Sequence, residues 1–269
     1  MSSPLGEMSV QVFLDEYWQK KPCLIRQALP DFAPELEVDD VAGLACDDLA
    51  DARLVSGSYS SMNWTQEYGP FKPKRLRQLP ESNWTLLVQD VEKHYPPLQC
   101  LLSAFCFIPS WRIDDLMISV AAPGGSVGPH VDQYDVFLLQ AKGHRRWQIA
   151  RSFDPGLAPG CELNLLAEFT PEQEWDLAPG DMLYLPPGVA HHGVALDTCM
   201  TWSIGLRAPS QADLLQALGE WLAETQAEGN RYSDKPASEL PRPGEIAPED
   251  VQGLLELMRQ ALVDERLPN

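Results

Sequence analysis

Between Trp84 and Arg207 short runs of strand-forming residues alternate with turns rich in glycine and proline, a texture that fits a barrel of two facing sheets. The runs are Trp84–Gln89, Asp115–Ala121, Val136–Gln140, His144–Ile149, Glu174–Leu177, Met182–Leu185 and Thr198–Arg207, and the turn at Ala178–Asp181 reads as the bend of a hairpin. Side chains alternate faces along a strand, so each run carries two inventories. In Asp115–Ala121, Leu116, Ile118 and Val120 make an apolar face, while Asp115, Met117, Ser119 and Ala121 mix polar and small groups, as the lining of a ligand cavity would. In the last run Thr201 and Ser203 oppose Trp202 and Ile204.

The same alternation puts His130 and Asp132 on one face, with Val131 on the other. A later stretch, Gly180-Asp181-Met-Leu-Tyr-Leu-Pro186-Pro187-Gly188-Val-Ala-His191-His192, supplies a second imidazole. Two histidines and one carboxylate that leave opposite positions open suit a non-haem Fe(II) oxygenase. In the run after the Lys142-Gly143 turn, Arg145, Trp147 and Ile149 share a face. If that face is inward, Arg145 is a cation on an apolar wall, a costly placement unless a carboxylate meets it, and a dicarboxylate is a natural partner for its fork. With the strand turned the other way, Arg145 is a surface cation.

The spacing Gly-x5-His from Gly124 to His130, and Gly-x5-Pro-x-Gly-x2-His from Gly180 to His191, resembles the two metal-strand patterns of the cupin double-stranded β-helix. Where a plain cupin has His-x-His and then Glu, this chain has His-x-Asp, with Val136 and Phe137 where the Glu would fall. With DDLMISVAAPGGSVGPHVDQYDVFLLQ and GDMLYLPPGVAHHG around them, these residues are similar to the JmjC-type 2-oxoglutarate oxygenases, and to their bacterial branch that hydroxylates an arginine of a large-subunit ribosomal protein. The resemblance spans about residues 10 to 265. It implies a mainly β catalytic domain, a double-stranded β-helix with surrounding helices, over 1–208 and a helical dimerisation region over 209–269. Relatives continue into a winged-helix domain, and the chain stops at Asn269, so it reads either as a shortened piece or as a short member.

By the same resemblance His130, Asp132 and His191 are the metal ligands, and the motif selects His191 over His192. Fe(II) is the metal, for which Mn, Co, Ni or Zn can substitute. Arg145, with Ser119 and Ser203, holds 2-oxoglutarate, and dioxygen is the further co-substrate. The implied reaction is hydroxylation of the arginine β-carbon. Asp115, Met117 and Tyr134 then contact the substrate, Asp115 by pairing with a guanidinium and Tyr134 by stacking on it. Asp115 also reads as part of an exposed Asp114-Asp115 turn. The alternatives are a cupin enzyme that works without 2-oxoglutarate, a non-catalytic dimeric binding protein, and a lysine demethylase of the same chemistry.

The remaining signals bound the answer. At 269 residues, 44% of them hydrophobic, the chain can hold one large core and a small appendage, and it has no run of about 18 apolar residues and no signal-like start. A soluble cytoplasmic protein is expected. A formal charge of −19 repels nucleic acid and attracts a basic partner such as a ribosomal protein. Cys23, Cys46, Cys100, Cys106, Cys161 and Cys199 form no C-x-x-C pair and read as reduced, mostly buried thiols. Helices are expected over Ser9–Lys20, about Asp39–Leu44, from Asp47, and over Pro97–Phe107. Residues 56–80, with the basic FKPKRLR, read as a solvated loop, and Ser152–Glu174 as an acidic loop at the rim. Two amphipathic helices follow, one from Ser210 to Gly229 with Leu214, Leu215, Leu218, Trp221 and Leu222, and one carrying Val251, Leu254, Leu255, Met258 and Leu262. A proline-rich linker, Lys235–Pro248, separates them. His94 and His144 read as surface histidines.

Overall fold

The structure, a computed structural model, describes residues 3–30, 32–160, 163–225, 231–233 and 246–263. Cys161, Gly229 and most of the proline-rich linker lie outside the described residues. Twelve strands are present among those described: β1 Cys23–Ile25, β2 Ala52–Ser56, β3 Thr65–Tyr68, β4 Trp84–Val88, β5 Ile113–Ala121, β6 His130–Val131, β7 Asp135–Lys142, β8 Arg145–Ala150, β9 Gln173–Leu177, β10 Met182–Leu185, β11 Ala190–Ala195 and β12 Cys199–Leu206. One sheet has the order β1-β10-β7-β12-β5-β4-β2-β3, the other β6-β11-β8-β9. The antiparallel pairing of strands distant in sequence is the double-stranded β-helix expected from the sequence.

The alternation of apolar and polar residues decides which face of the large sheet is covered. Leu116, Ile118 and Val120 of β5, Phe137 and Leu139 of β7, and Trp202 and Ile204 of β12 are buried in one core with Phe13, Val41, Leu102 and Phe105 from flanking segments. Those segments carry short helices: α1 Val10–Glu16, α2 Val38–Leu44, α3 Pro73–Leu76, α4 Val91–His94 and α5 Gln99–Ser103. The opposite face of the sheet looks into a cavity, and part of the space between the sheets is closed by Val136, Leu138, Trp147, Ile149, Leu177, Leu183 and Leu185.

Ser9 caps α1 by accepting from the Val12 amide, and Phe13 carries the helix onto the ring of Tyr184 at 5.0 Å. The helix stops at Glu16 instead of Lys20, because Gln19 takes a left-handed φ of 56° and donates its backbone N–H to the Tyr184 hydroxyl at 2.8 Å. Asp135 is fully buried beneath it. Tyr184 Oη, Arg112 Nη2 and Gln19 Nε2 all donate to its carboxylate, at 2.5, 3.0 and 3.1 Å, which satisfies the charge where water cannot.

Several expectations are corrected. No helix begins at Asp47: its Oδ1 accepts from the Leu49 N–H at 2.9 Å, a local closure that competes with helix, and β2 follows at once. Residues 56–80 are not all loop, since Thr65–Tyr68 forms β3 against β2 and FKPKRLR contains α3. The helix read over Pro97–Phe107 shrinks to α5 behind a 3-10 turn, Pro96–Leu98. Glu174–Leu177 and Met182–Leu185 are not a hairpin: β9 pairs with β8, whereas β10 crosses to the other sheet between β1 and β7. Asp181 holds that crossing, its buried carboxylate accepting from Arg26 Nη1 at 2.6 Å, the Gln27 amide at 3.0 Å and the Ala178 amide at 3.1 Å. Among the described residues the thiols are free but not mostly buried, as Cys100 and Cys106 are exposed.

Residues 1–208 and 209–269 form two compact units. The second contains α6 Gln211–Thr225 and α7 Pro248–Leu262, neither with a buried residue. No helix among the described residues is long and apolar enough to cross a membrane.

Candidate active site

The pairing of β6 with β11 sets His130 directly opposite His191. Each imidazole is fixed from behind: Nδ1 of His130 lies 2.9 Å from the Gly128 carbonyl and Nδ1 of His191 lies 3.0 Å from the Val189 carbonyl. A carbonyl only accepts, so Nδ1 carries the proton in both rings and each Nε2 lone pair is left free. Both Nε2 atoms turn to Asp132 Oδ2, at 3.9 Å from His130 and 3.5 Å from His191, and the two rings lie 4.3 Å apart. Ligand atoms of the three residues fall within 4.8 Å of one another. Burial and the neighbouring His130 push the His191 pKa down to about 4, so its imidazole is neutral and able to donate a lone pair at neutral pH. His192 is buried on the other side of β11, between the rings of Tyr59 at 5.6 Å and Phe169 at 6.0 Å, and does not line the cavity.

The three residues open into a cavity of about 700 Å³. Asp115, Met117 and Ser119 of β5, Ser203 of β12, Tyr134 and Arg145 all line it, which gathers every residue singled out from the sequence. Arg145 is inward, 4% exposed, and its Nε and Nη2 are buried without a hydrogen-bond partner. Its guanidinium carbon stands 5.7 Å from the Trp147 ring, and that ring stands 5.9 Å from His191. Its strand neighbours Arg146 and Gln148 point outward and pair with Asp176 and Glu174 of β9. Asp115 is half-buried in the wall, whereas Asp114 is exposed and lies 3.9 Å from Arg207. Burial, with Asp114 and other carboxylates nearby, raises the Asp115 pKa to about 6.

Arg53, Gln66, Tyr68 and Gln89 also line the cavity and were not anticipated. Arg53 is in β2, Gln66 and Tyr68 are in β3, and Gln89 directly follows β4. In the sequence Gln66 and Tyr68 fall in the stretch read as loop and Arg53 beyond the helix start read at Asp47, while the strand run Trp84–Gln89 already holds Gln89.

Trp147 lies flat over Gly193, its partner across β8 and β11, and a Cβ there would come within 2.6 to 2.9 Å of three ring atoms. Gly193→Ala is therefore expected to cost about 1–3 kcal/mol through overpacking. Urea unfolding of the variant against the parent measures it.

The donor set fits a divalent transition metal: two imidazoles and one carboxylate on one side, with open cavity on the other. The orphaned guanidinium of Arg145 in the same cavity fits an anionic co-substrate.

Fold and site together define a double-stranded β-helix protein of the JmjC type. A JmjC domain model matches residues 100–214. The chain is 38% identical to the ribosomal protein uL16 3-hydroxylase of Escherichia coli over 93% of its own length, and 37% identical to a probable ribosomal oxygenase of Haemophilus influenzae over 94%. It spans 66% and 64% of the lengths of those two proteins, just under two thirds. The solved structure of YcfD, a ribosomal oxygenase from Escherichia coli in complex with cobalt and 2-oxoglutarate, matches with a TM-score of 0.81 at 36% identity, over 97% of this chain and 68% of that one. The chain belongs to the JmjC-domain family, in the group of the bacterial ribosomal oxygenases.

Proposed function

We propose that the protein is an Fe(II)- and 2-oxoglutarate-dependent hydroxylase of the β-carbon of an arginine in a large-subunit ribosomal protein. The observation that carries the reading is Arg145: a buried cation whose Nε and Nη2 have no hydrogen-bond partner, in one cavity with two histidines and a carboxylate able to hold a metal. The resemblance to the uL16 3-hydroxylase supports the reaction and the substrate class.

His130, Asp132 and His191 hold the iron, which when bound supplies the chemistry that couples dioxygen and 2-oxoglutarate to oxidation of an unactivated C–H bond. Overall, the C–H carbon gains one oxygen atom of dioxygen, and 2-oxoglutarate gives succinate and carbon dioxide. Arg145 takes the far carboxylate of 2-oxoglutarate in a bidentate fork, with Ser119 and Ser203 on the facing sheet lending hydroxyls. Asp115 pairs with the substrate guanidinium, and Met117 and Tyr134 wall the slot beside it. The test is mass spectrometry of the arginine-bearing ribosomal-protein peptide after incubation with Fe(II), 2-oxoglutarate and oxygen. A gain of one oxygen on arginine, absent in His130→Ala, is the expected result. Release of formaldehyde from a methyl-lysine peptide instead would make it a demethylase.

Asp115 gives this binding step a pH dependence. Its carboxyl titrates near 6 in the free protein, and a guanidinium partner lowers that value, so the complex binds fewer protons than the free protein. Peptide affinity is expected to be flat above about pH 6 and to fall below it by up to about tenfold per pH unit. Asp115→Asn should be weak and flat across the same range, as fluorescence anisotropy of a labelled peptide would report.

In this reading 209–269 is a dimerisation module and the protein a homodimer. Support comes from the exposed Leu214 and Leu215 of α6 and Val251, Leu254, Leu255 and Met258 of α7, an apolar surface that a second copy would cover. Light scattering on the full chain tests it. The substrate is basic, in keeping with the charge of −19, and both partners are sought in the cytoplasm.

A further inference from the structure

One wall of the cavity carries polar groups to which the reading above gives no role. Arg53 Nε and Gln89 Oε1 are both buried and make no hydrogen bond, although both side chains line the cavity. Arg53 lies opposite Leu87 in the β2–β4 pairing, and Gln89 follows two residues later on the same face. They are therefore diagonal neighbours, a spacing that long side chains can bridge, yet neither atom is satisfied by the other. A buried donor and a buried acceptor left open at neighbouring positions of one wall suit a secondary amide, which has a carbonyl to accept and an N–H to give.

Charge narrows the choice. Arg53 lines the same cavity as Asp115 and Tyr134, so it faces the slot in which the target side chain is read to lie. A cationic side chain seated at Asp115 would be repelled by Arg53 unless the incoming chain set an electron-rich atom against the guanidinium. The main-chain carbonyl next to the target residue is such an atom. Tyr68, paired with Arg53 in register and 70% exposed, stands beside it on β3, where the flanking polypeptide would leave the cavity.

We infer that Arg53 and Gln89 form a subsite for one peptide bond of the polypeptide substrate beside the target side chain, Arg53 donating to its carbonyl and Gln89 accepting from its N–H. The inference rests on the protein-hydroxylase reading and makes the substrate's main chain part of what is recognised.

The test uses the full-length chain with the arginine-bearing peptide and a series of that peptide in which single amides are replaced by esters, which removes one N–H without adding bulk. Arg53→Met is expected to raise peptide Kd and KM roughly ten- to a hundredfold and Gln89→Leu roughly tenfold, with the KM for 2-oxoglutarate unchanged. One ester position should cost the parent roughly tenfold and cost Gln89→Leu clearly less, the remainder coming from the weaker ester carbonyl set against Arg53. If either variant loses its cooperative melting, Arg53→Leu or Gln89→Met takes its place. Parent-like peptide Kd and KM in folded variants, with no ester position coupled to Gln89, overturns the subsite and leaves the hydroxylase intact. Coupling of Arg53 to an acidic side chain of the peptide, with a flat ester series, overturns it in favour of side-chain recognition. A parent that neither binds nor oxidises the peptide overturns the hydroxylase reading, and the subsite with it.

Discussion

Arg145→Met is expected to make the ligand-free protein more stable and, in the same variant, to weaken 2-oxoglutarate binding by orders of magnitude. The two effects share one cause. Arg145 is 4% exposed, its Nε and Nη2 have no partner, and Trp147 covers it from one side. Without ligand, the protein carries the desolvation cost of that cation with little in return. An apolar side chain of similar length removes the cost and keeps the packing, a change that is often neutral or stabilising by about 1–4 kcal/mol. With the co-substrate bound, the guanidinium meets a carboxylate in a buried fork, and losing one partner of such a pair costs about 2–5 kcal/mol. That corresponds to a dissociation constant roughly thirty- to a few thousandfold higher. Calorimetric melting in chelator and titration with 2-oxoglutarate read the two halves separately. A variant that melts lower and binds 2-oxoglutarate like the parent would mark Arg145 as a structural cation and remove the main support for the co-substrate. Arg145→Lys should recover part of the affinity, since an ammonium keeps the charge and loses the fork.

How much of this was legible in the sequence depends on whether the information is local. Alternation within a strand is local, so the residues that share a face of β5, β8 and β12 were readable, and with them Asp115, Met117 and Ser119, Arg145, and Ser203, whereas alternation leaves open which face of β8 turns inward. His130 and Asp132 fall on one face for the same reason. What alternation does not encode is pairing between distant strands. The crossing of β10 to the large sheet rests on Asp181 meeting Arg26 and Gln27, residues far away in the chain, so the turn at Ala178–Asp181 looks like any hairpin. The wall formed by β2 and β3 was missed because β3 is a short, largely solvated edge strand between proline- and glycine-rich segments. Its Gln66 and Tyr68 become cavity residues only once β2 has paired with β4. The candidate metal triad was picked out through its glycine spacing and the resemblance that spacing carries. The glycines of that spacing have a backbone reason: Gly124, Gly180 and Gly188 sit at φ of 76°, 89° and 80°, a conformation that other residues reach only with strain.

Asp132→Ala should leave the metal-free protein as stable as the parent and abolish its response to metal. The Asp132 side chain is 21% exposed, and among the described residues the charged groups that pair with it are the two histidines. Its backbone carbonyl accepts from the Gly188 N–H at 2.8 Å, a bond that the substitution keeps. Nothing in the core depends on the carboxylate, so melting in chelator should change by less than about 0.5 kcal/mol. Metal is different, because the carboxylate is the one anionic donor facing the two imidazoles. At a free metal concentration of a hundred times Kd the parent gains about 2.7 kcal/mol, a rise in melting temperature of roughly 5–10 °C for a unit of this size. Manganese(II), which occupies such sites without oxygen chemistry, is a suitable probe. In Asp132→Ala the shift should vanish, and with it all hydroxylated product. Asp132→Asn separates charge from shape, since it keeps an oxygen donor in place and loses the negative charge. It should retain a small shift if geometry contributes and none if the charge holds the metal. A full metal-induced shift in Asp132→Ala would instead place the metal on other residues, and the reading of the cavity would have to begin from those.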